Sequence, residues 1–529
     1  MASVSLDGYD RDRGVDVLHY DLEVELPEAP GPISARARIV AERLEADLDA
    51  LRLDFGPLEV DGVRVDGSEA SWTRGDDGLV VTLPPAEAGA RHEVEVRYHG
   101  TPRDGLILRA NRHGDFAVFA DNWPDRAREW FPAVDHPSDK ATVAFDVTAP
   151  AGWRVIANGY LVDRTEIGGG RARTRWRESA EVPTYTMVIG AARFAVERAG
   201  EVAGIALTHW TFPEDSAAGS VAFARSTEIL ALYDSLFGPF SYEKLAHVQS
   251  ATRYGGMENS SAIFYSENRI GEALARGAGS EGEERDGLTS LVAHETVHQW
   301  FGDAVTEKDW HHLWLSEGFA SYFAEVFFEL RGSSQGRGPA ELGRRMKELR
   351  DEVLAWDREA GLAIVDARAA ADRDYGQLLH TGNYEKGAWV LHMLRREVGD
   401  EAFFEGIRSY YAALRDDAAW SADFERAMEE AAGADLGWFF AQWLTRPSHP
   451  VLAISTEPRG SATRVVVRQV QPGEPWRIQV ELAVEGSGGS HRERIEMTGR
   501  EGAIELAAQV PIERVMIDPD AWLLYEPAP

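Results

Sequence analysis

The chain has 529 residues, more than one hydrophobic core comfortably serves, and 44% of them are hydrophobic, so several globular domains are expected. Its 88 acidic against 55 basic residues give a net charge of −33, which disfavours nucleic acid and anionic membrane surfaces as partners. The absence of cysteine excludes disulfides, thiolate metal sites and a cysteine nucleophile, while leaving the cellular compartment open.

The N-terminal "MASVSLDGYDRDRG" lacks the apolar core of a signal peptide, and no run of about eighteen apolar residues occurs anywhere. A soluble protein is expected, with the cytoplasm favoured over export. Residues 1–195 read as strands: "HYDLEVEL", "LVVTLPP", "HEVEVRYHG" and "ATVAFDVTAP" alternate apolar and polar positions between Gly, Pro and Asp turns. This predicts an N-terminal antiparallel β domain. From about 219 the period becomes helical: "SVAFARSTEILALYDSLFG" predicts a helix stopping at Gly238. "GEALARGAGSEGEERDG" (271–287) reads as a solvated loop. Helices dominate to about 445, among them "YEKGAWVLHMLRREVG" and "SADFERAMEEAAG", the latter with Ser421 as N-cap and Gly433 as its stop. Strands return in "TRVVVRQV", "WRIQVELAVEG", "RERIEMTG" and "VMIDPD", predicting a small C-terminal β-sandwich-like domain. The expected division is a β domain at 1–195, a mostly helical domain at 196–447 and a β domain at 448–529, a multidomain α+β architecture.

The chemistry is concentrated in "LVAHETVHQWFG" (291–302). On a helix, positions i and i+4 share a face, so His294 and His298 can aim two imidazoles at one point. Glu295 lies about 100° round from His294, better placed to hold a water than to bind a metal. A chain of this composition shows HExxH by chance about 0.03 times, so the motif alone does not decide the matter. A catalytic zinc needs a third protein ligand. Glu317 sits in the first turn of the apolar helix predicted for "HLWLSEGFASYFAEVFFEL", where a carboxylate is costly unless paired or bound to a cation. Eighteen residues separate it from His298, and demanding Glu there lowers the chance figure to about 0.003. The bland alternative for Glu317, an exposed acid at a helix start, therefore loses to the ligand reading: one zinc ion per chain on His294, His298 and Glu317.

HExxH followed by Glu after eighteen residues resembles the gluzincin metallopeptidases, in particular the alanyl aminopeptidase (aminopeptidase N) family, which includes the leukotriene epoxide hydrolase/aminopeptidase. "YGGMENSSAIFY" (254–265) is similar to the family's GxMEN exopeptidase motif. "TGNYEKGAWVL" (381–391) resembles the segment bearing its catalytic tyrosine, and "DVLHYDLEVEL" and "FPAVDHPSDKATVAF" resemble its N-terminal signatures. The resemblance runs from about 15 to 445. It implies a thermolysin-like catalytic domain at 196–447 and an aminopeptidase that removes single residues from the free N-terminus of peptides.

By the same resemblance, Glu295 is the general acid–base and Tyr384 the phenol donor to the oxyanion. Gly255, Gly256, Met257, Glu258 and Asn259 form the substrate-binding segment. The two glycines let a substrate strand approach, Glu258 faces the α-ammonium, Met257 touches the first side chain and Asn259 supports the segment. Taken alone, Gly-Gly reads as a turn and Tyr384 as a core tyrosine. Many relatives also carry a Gln twelve residues before the Asp-x-Pro turn; counting back from Asp135 gives Trp123. Either Asp121 or Asn122 takes over its hold on the amine, or Glu258 carries it. The rival readings are a thermolysin-like endopeptidase, which needs no amine anchor, and a catalytically dead scaffold, which would lack ligands. Peptides are the expected partners, with a monomer as the assembly. An epoxide hydrolase side activity has nothing in the sequence to support it.

Overall fold

Alternating burial builds the first sheet. The computed structural model describes residues 6–11, 13–75, 78–276, 283–366, 368, 375–460, 462–486, 489–507 and 512–529. In β1 (Val15–Glu25), Val15, Val17, Tyr20, Leu22 and Val24 are buried, and a bulge between Val17 and His19 keeps the later residues on the core face. With β2 (Ile33–Arg43), β3 (Glu59–Val65), β4 (Ser68–Glu69), β5 (Arg91–Gly100), β6 (Lys140–Pro150), β7 (Tyr160–Gly168) and β8 (Arg171–Pro183), it forms an eight-stranded sheet. The order is β7-β8-β6-β1-β2-β5-β3-β4. Within this sheet the pairings are antiparallel as expected, with one exception. β1 pairs with β6 in parallel, His19 opposite Thr142 through Glu25 opposite Thr148. These strands are far apart in sequence, so no hairpin dictates their direction.

A five-stranded sheet carries the next segment: β9 (Ala195–Val202), β10 (Ile205–Thr211), β11 (Lys244–Ser250), β12 (Gly256–Met257) and β13 (Ala262–Ser266), in the order β9-β10-β11-β13-β12. Every residue of β11 is buried, as befits a strand flanked by parallel neighbours and covered on both faces. The two-residue β12 lies at the sheet edge, Gly256 opposite Tyr265 and Met257 opposite Phe264.

The helical middle includes α1 (Ser226–Phe237), α2 (Glu283–His298), α3 (Trp314–Arg331), α4 (Pro339–Ala360), α5 (Gly387–Val398), α6 (Ser421–Ala432) and α7 (Gly437–Thr445), besides the helix Asp400–Leu414. Gly238 and Gly433 stop their helices with positive φ, at 118° and 62°. Three expectations change. The helix sought from 219 is broken at Phe223–Arg225 into Ser216–Ala222 and α1; Ser226, at the break, is buried with its hydroxyl 2.9 Å from His209 Nε2. Ser421 does not cap α6 from outside but is its first residue; its hydroxyl accepts Trp314 Nε1–H at 2.8 Å and lies 2.7 Å from His312 Nδ1. The loop expected at 271–287 is helical at Ala273–Arg276 and again from Glu283, while 277–282 lie outside the described residues.

After Pro450, two sheets complete the chain. Val451–Arg459, Ala462–Gln469, Glu501–Ala507 and Glu526–Pro527 form one; Ile478–Gly486, Gly489–Met497 and Ile512–Ile517 form the other. Contacts group the chain into two compact units, one running to Trp310 and adding Arg408–Trp420, the other holding His311–Ile407 and Ser421–Pro529. Among the described residues, no helix is long and apolar enough to cross a membrane.

Candidate functional site

In the first unit, the last turn of α2 sets His294 and His298 on one face, their Nε2 atoms 3.1 Å apart. That separation suits two nitrogens on one tetrahedral ion with bonds of ~2.0–2.1 Å. His298 is buried, and its Nδ1 faces Phe301 O at 3.2 Å, the kind of second contact that would hold the ring with Nε2 free to take a metal. Glu295 is 5% exposed. Ligand atoms of Glu258, Glu295 and His298 lie within 4.8 Å of one another, so the GGMEN carboxylate stands beside the HExxH helix.

The glycines divide their work differently from the expectation of substrate approach alone. A Cβ on Gly256 would lie 2.1 Å from Glu295 Oε1 and 2.3 Å from its Cδ, so the bare Cα at 256 makes room for Glu295. A Cβ on Gly255 would meet only Leu291 Cδ1, at an ordinary 3.9 Å. Met257 is 3% exposed, and Asn259 Nδ2 donates to Met257 O at 3.4 Å.

Two residues that hold this segment went unread in the sequence. Gln299, directly after the helix, accepts Ser261 N–H at 2.7 Å and donates from Nε2 to Glu258 O at 2.6 Å and to Asp303 Oδ2 at 2.7 Å. Ser261 has φ +64°, rare for a side chain of this kind. It is held by Lys244 Nζ, which donates to its carbonyl at 2.9 Å and its hydroxyl at 3.1 Å, and by Gly159 N–H, which donates to its hydroxyl at 2.7 Å. Burial pushes the Lys244 ammonium down to about 7 and raises the Asp303 carboxyl, Glu258's charge adding to the latter. A polar residue directly after the second histidine of HExxH was the one available signal for Gln299.

The structure also tests the neighbours of Trp123. Asp121 is fully buried; it accepts from Arg253 Nε at 2.8 Å and from the Thr252 hydroxyl at 3.0 Å. Asn122 donates to the carbonyls of Thr184 and Met187 and accepts Trp130 Nε1–H. Both are committed to structure. Trp123 is 3% exposed and packs edge-on against Tyr254 and Trp310, with ring centroids 5.8 and 5.7 Å away.

In the second unit, Glu317 occupies the first turn of α3 and accepts the Tyr384 hydroxyl at 2.7 Å. Tyr384 lies in a π-helical turn, Gly382–Lys386, closed by Lys386 N–H to Thr381 O at 2.9 Å. Two glycines let this turn approach α3: a Cβ on Gly318 would lie 3.0 Å from Gly387 Cα and 3.3 Å from Asn383 O. Asn383 Nδ2 ties the turn to Leu378 O at 2.8 Å.

Two imidazoles and a carboxylate form a donor set that suits zinc, and the spacing of the two Nε2 atoms agrees with it. Comparison with known proteins points the same way. The Peptidase M1 N-terminal domain matches residues 17–186 and the Peptidase family M1 domain matches 221–443. Probable aminopeptidase 1 of Sulfurisphaera tokodaii is 26% identical over 422 residues, 78% of this chain and 52% of that protein. Leucyl aminopeptidase of Saccharolobus solfataricus is 25% identical over 461 residues, 86% of this chain and 56% of that protein. The chain thus spans about half the length of these relatives. A crystal structure of a variant M1 zinc metallopeptidase from Deinococcus radiodurans matches with a TM-score of 0.69 and 25% identity, covering 83% of this chain and 96% of that one. Both halves of the family pattern, the N-terminal strands and the HExxH-bearing middle, are present in order, and the chain belongs to peptidase family M1.

Proposed function

We propose that the protein is a zinc-dependent aminopeptidase that removes single residues from the free N-terminus of peptides. The observation that carries this reading is the Glu258 carboxylate, 7% exposed, placed with Glu295 and His298 at the end of an edge strand. An edge strand offers backbone groups to an extended peptide, and a buried carboxylate at its end selects a chain that begins there with an ammonium. An endopeptidase has no use for such a group.

His294, His298 and Glu317 are the proposed ligands of one zinc ion, on the strength of donor chemistry and the eighteen-residue interval. Zinc held there supplies Lewis acidity at neutral pH. Glu295 takes the proton of the attacking water and returns it to the leaving amine. Tyr384 donates its phenol hydrogen to the oxyanion, exchanging the partner it has in Glu317 for the reacting oxygen. Glu258 holds the α-ammonium, since Asp121 and Asn122 are engaged elsewhere, while Gly255, Gly256, Met257 and Asn259 shape the strand it stands on. These residues fall in the middle part of the proposed division 1–195, 196–447 and 448–529.

The test is one peptide in free and N-acetylated forms, with products followed by mass spectrometry. The free form should shorten residue by residue and the blocked form should stay nearly intact. Glu258→Ala should cut cleavage of the free peptide strongly while leaving the zinc content unchanged. Internal cleavage of the acetylated peptide at a comparable rate would restore the endopeptidase reading.

A further inference from the structure

The π-helical turn that carries Tyr384 is anchored by a line of charged and polar groups, buried at Lys386, Asp357 and His449, that no catalytic step uses. Lys386, two residues after Tyr384, donates from Nζ to Asp357 Oδ1 of α4 at 2.7 Å, and both side chains are fully buried. The same ammonium donates to Ser448 O at 3.0 Å and sits over the Trp356 ring, 5.5 Å from its centroid. Asp357 Oδ2 meets His449 Nδ1 at 2.7 Å, and His449 Nε2 lies 3.2 Å from Glu526 Oε2 in the last strand. Arg358 closes the outer end, donating to Glu526 Oε1 at 2.8 Å. On the other side of the turn, Trp356 stacks on His380, whose Nδ1 accepts Gly382 N–H at 3.0 Å.

A buried ammonium without a partner is costly, so Lys386 has a narrow choice of positions. A π turn is a strained form of helix that persists where its surroundings hold it. The groups that hold this one come from α4, from the Ser448–His449 linker and from the C-terminal strand. We infer that Lys386, with Asp357, His449 and Glu526 behind it, is a positioning residue for Tyr384, through which the C-terminal β region sets the direction of the phenol. The inference rests on the catalytic reading of Tyr384 given above. The C-terminal β region is then part of the catalytic apparatus and not an appendage to it.

The experiment is a double-mutant cycle on the full chain. Lys386→Met is made in the wild-type and the Tyr384→Phe backgrounds, with Lys386→Met/Asp357→Asn as the variant that leaves no lone buried charge. An aminoacyl p-nitroanilide gives kcat and KM, and elemental analysis gives zinc. We expect kcat to fall by about tenfold, the scale of a small misplacement of a catalytic group, with KM and zinc content unchanged and no further fall in the Tyr384→Phe background. An equal fall in both backgrounds, an unchanged kcat, or failure of both Lys386 variants to fold overturns the inference. Tyr384→Phe with wild-type kcat overturns the catalytic reading of Tyr384 and this inference with it.

Discussion

Gly256 has no room for a side chain, because the space its Cβ would take is occupied by Glu295. Gly256→Ala should therefore push Glu295 out of place and lower kcat with zinc retained; wild-type kcat in that variant would show that Glu295 tolerates displacement. Glu295→Gln keeps the shape and removes the proton acceptor, so it should retain zinc and lose at least ~10²-fold in rate. Tyr384→Phe should lose a similar order, as one oxyanion donor is removed, and full activity would mean another group serves the oxyanion. His294, Glu295, His298 and Glu317 could be singled out because their spacing is local, four residues within one helical face and eighteen to the next helix, whereas Gly256 and Tyr384 stood out only through the family resemblance. Gln299 and Ser261 were not legible, because what makes them matter is separated in sequence. Gln299 matters through Glu258 and Ser261, Ser261 through Lys244 and Gly159. No periodicity records such partners.

At the scale of elements, α3 and the start of α5 meet through glycine. A Cβ on Gly318 would lie 3.0 Å from Gly387 backbone atoms, and one on Gly387 would lie 2.9 Å from Gly318 Cα. Backbone cannot swing aside as a side-chain tip can, so Gly318→Ala should separate the two helices and cost about 1–3 kcal/mol, an ordinary overpacking penalty. Because Glu317 is the adjacent residue, zinc affinity should fall as well. Urea unfolding and a zinc-chelator titration measure the two effects, and unchanged values for both would show that the helices separate freely. Helix ends at Gly238 and Gly433 were readable from glycine's tolerance of positive φ. The π turn was not, since "TGNYEKGA" has the composition of an ordinary helix start. What holds the turn is Asp357 and Ser448, which lie outside that segment. The parallel pairing of β1 with β6 was hidden for a related reason, as alternation fixes which face a residue takes but not the direction of a distant partner strand.

For the molecule as a whole, the two compact units interleave along the chain, Arg408–Trp420 grouping with residues before 310, and no linear change of composition marks such a division. Charge acts at the same scale and was legible from the first count. The excess of 33 acidic charges repels itself in the folded state more than in the expanded chain, which lowers stability at low ionic strength. Salt also weakens exposed ion pairs such as Arg91–Glu42 and Arg173–Asp146, which acts in the opposite direction. Such pairs contribute roughly 0–1 kcal/mol each, and every one of them already consumes an acid and a base, so they cannot offset the unpaired excess. Repulsion should therefore win. Raising sodium chloride from about 0.01 M to about 1 M shortens the Debye length from ~30 to ~3 Å, and the Tm should rise across that range. Added acid should act in the same direction as salt at first, since protonating surface carboxylates removes the same repulsion. A Tm that falls steadily with sodium chloride would show instead that the exposed Arg–carboxylate pairs outweigh the net charge.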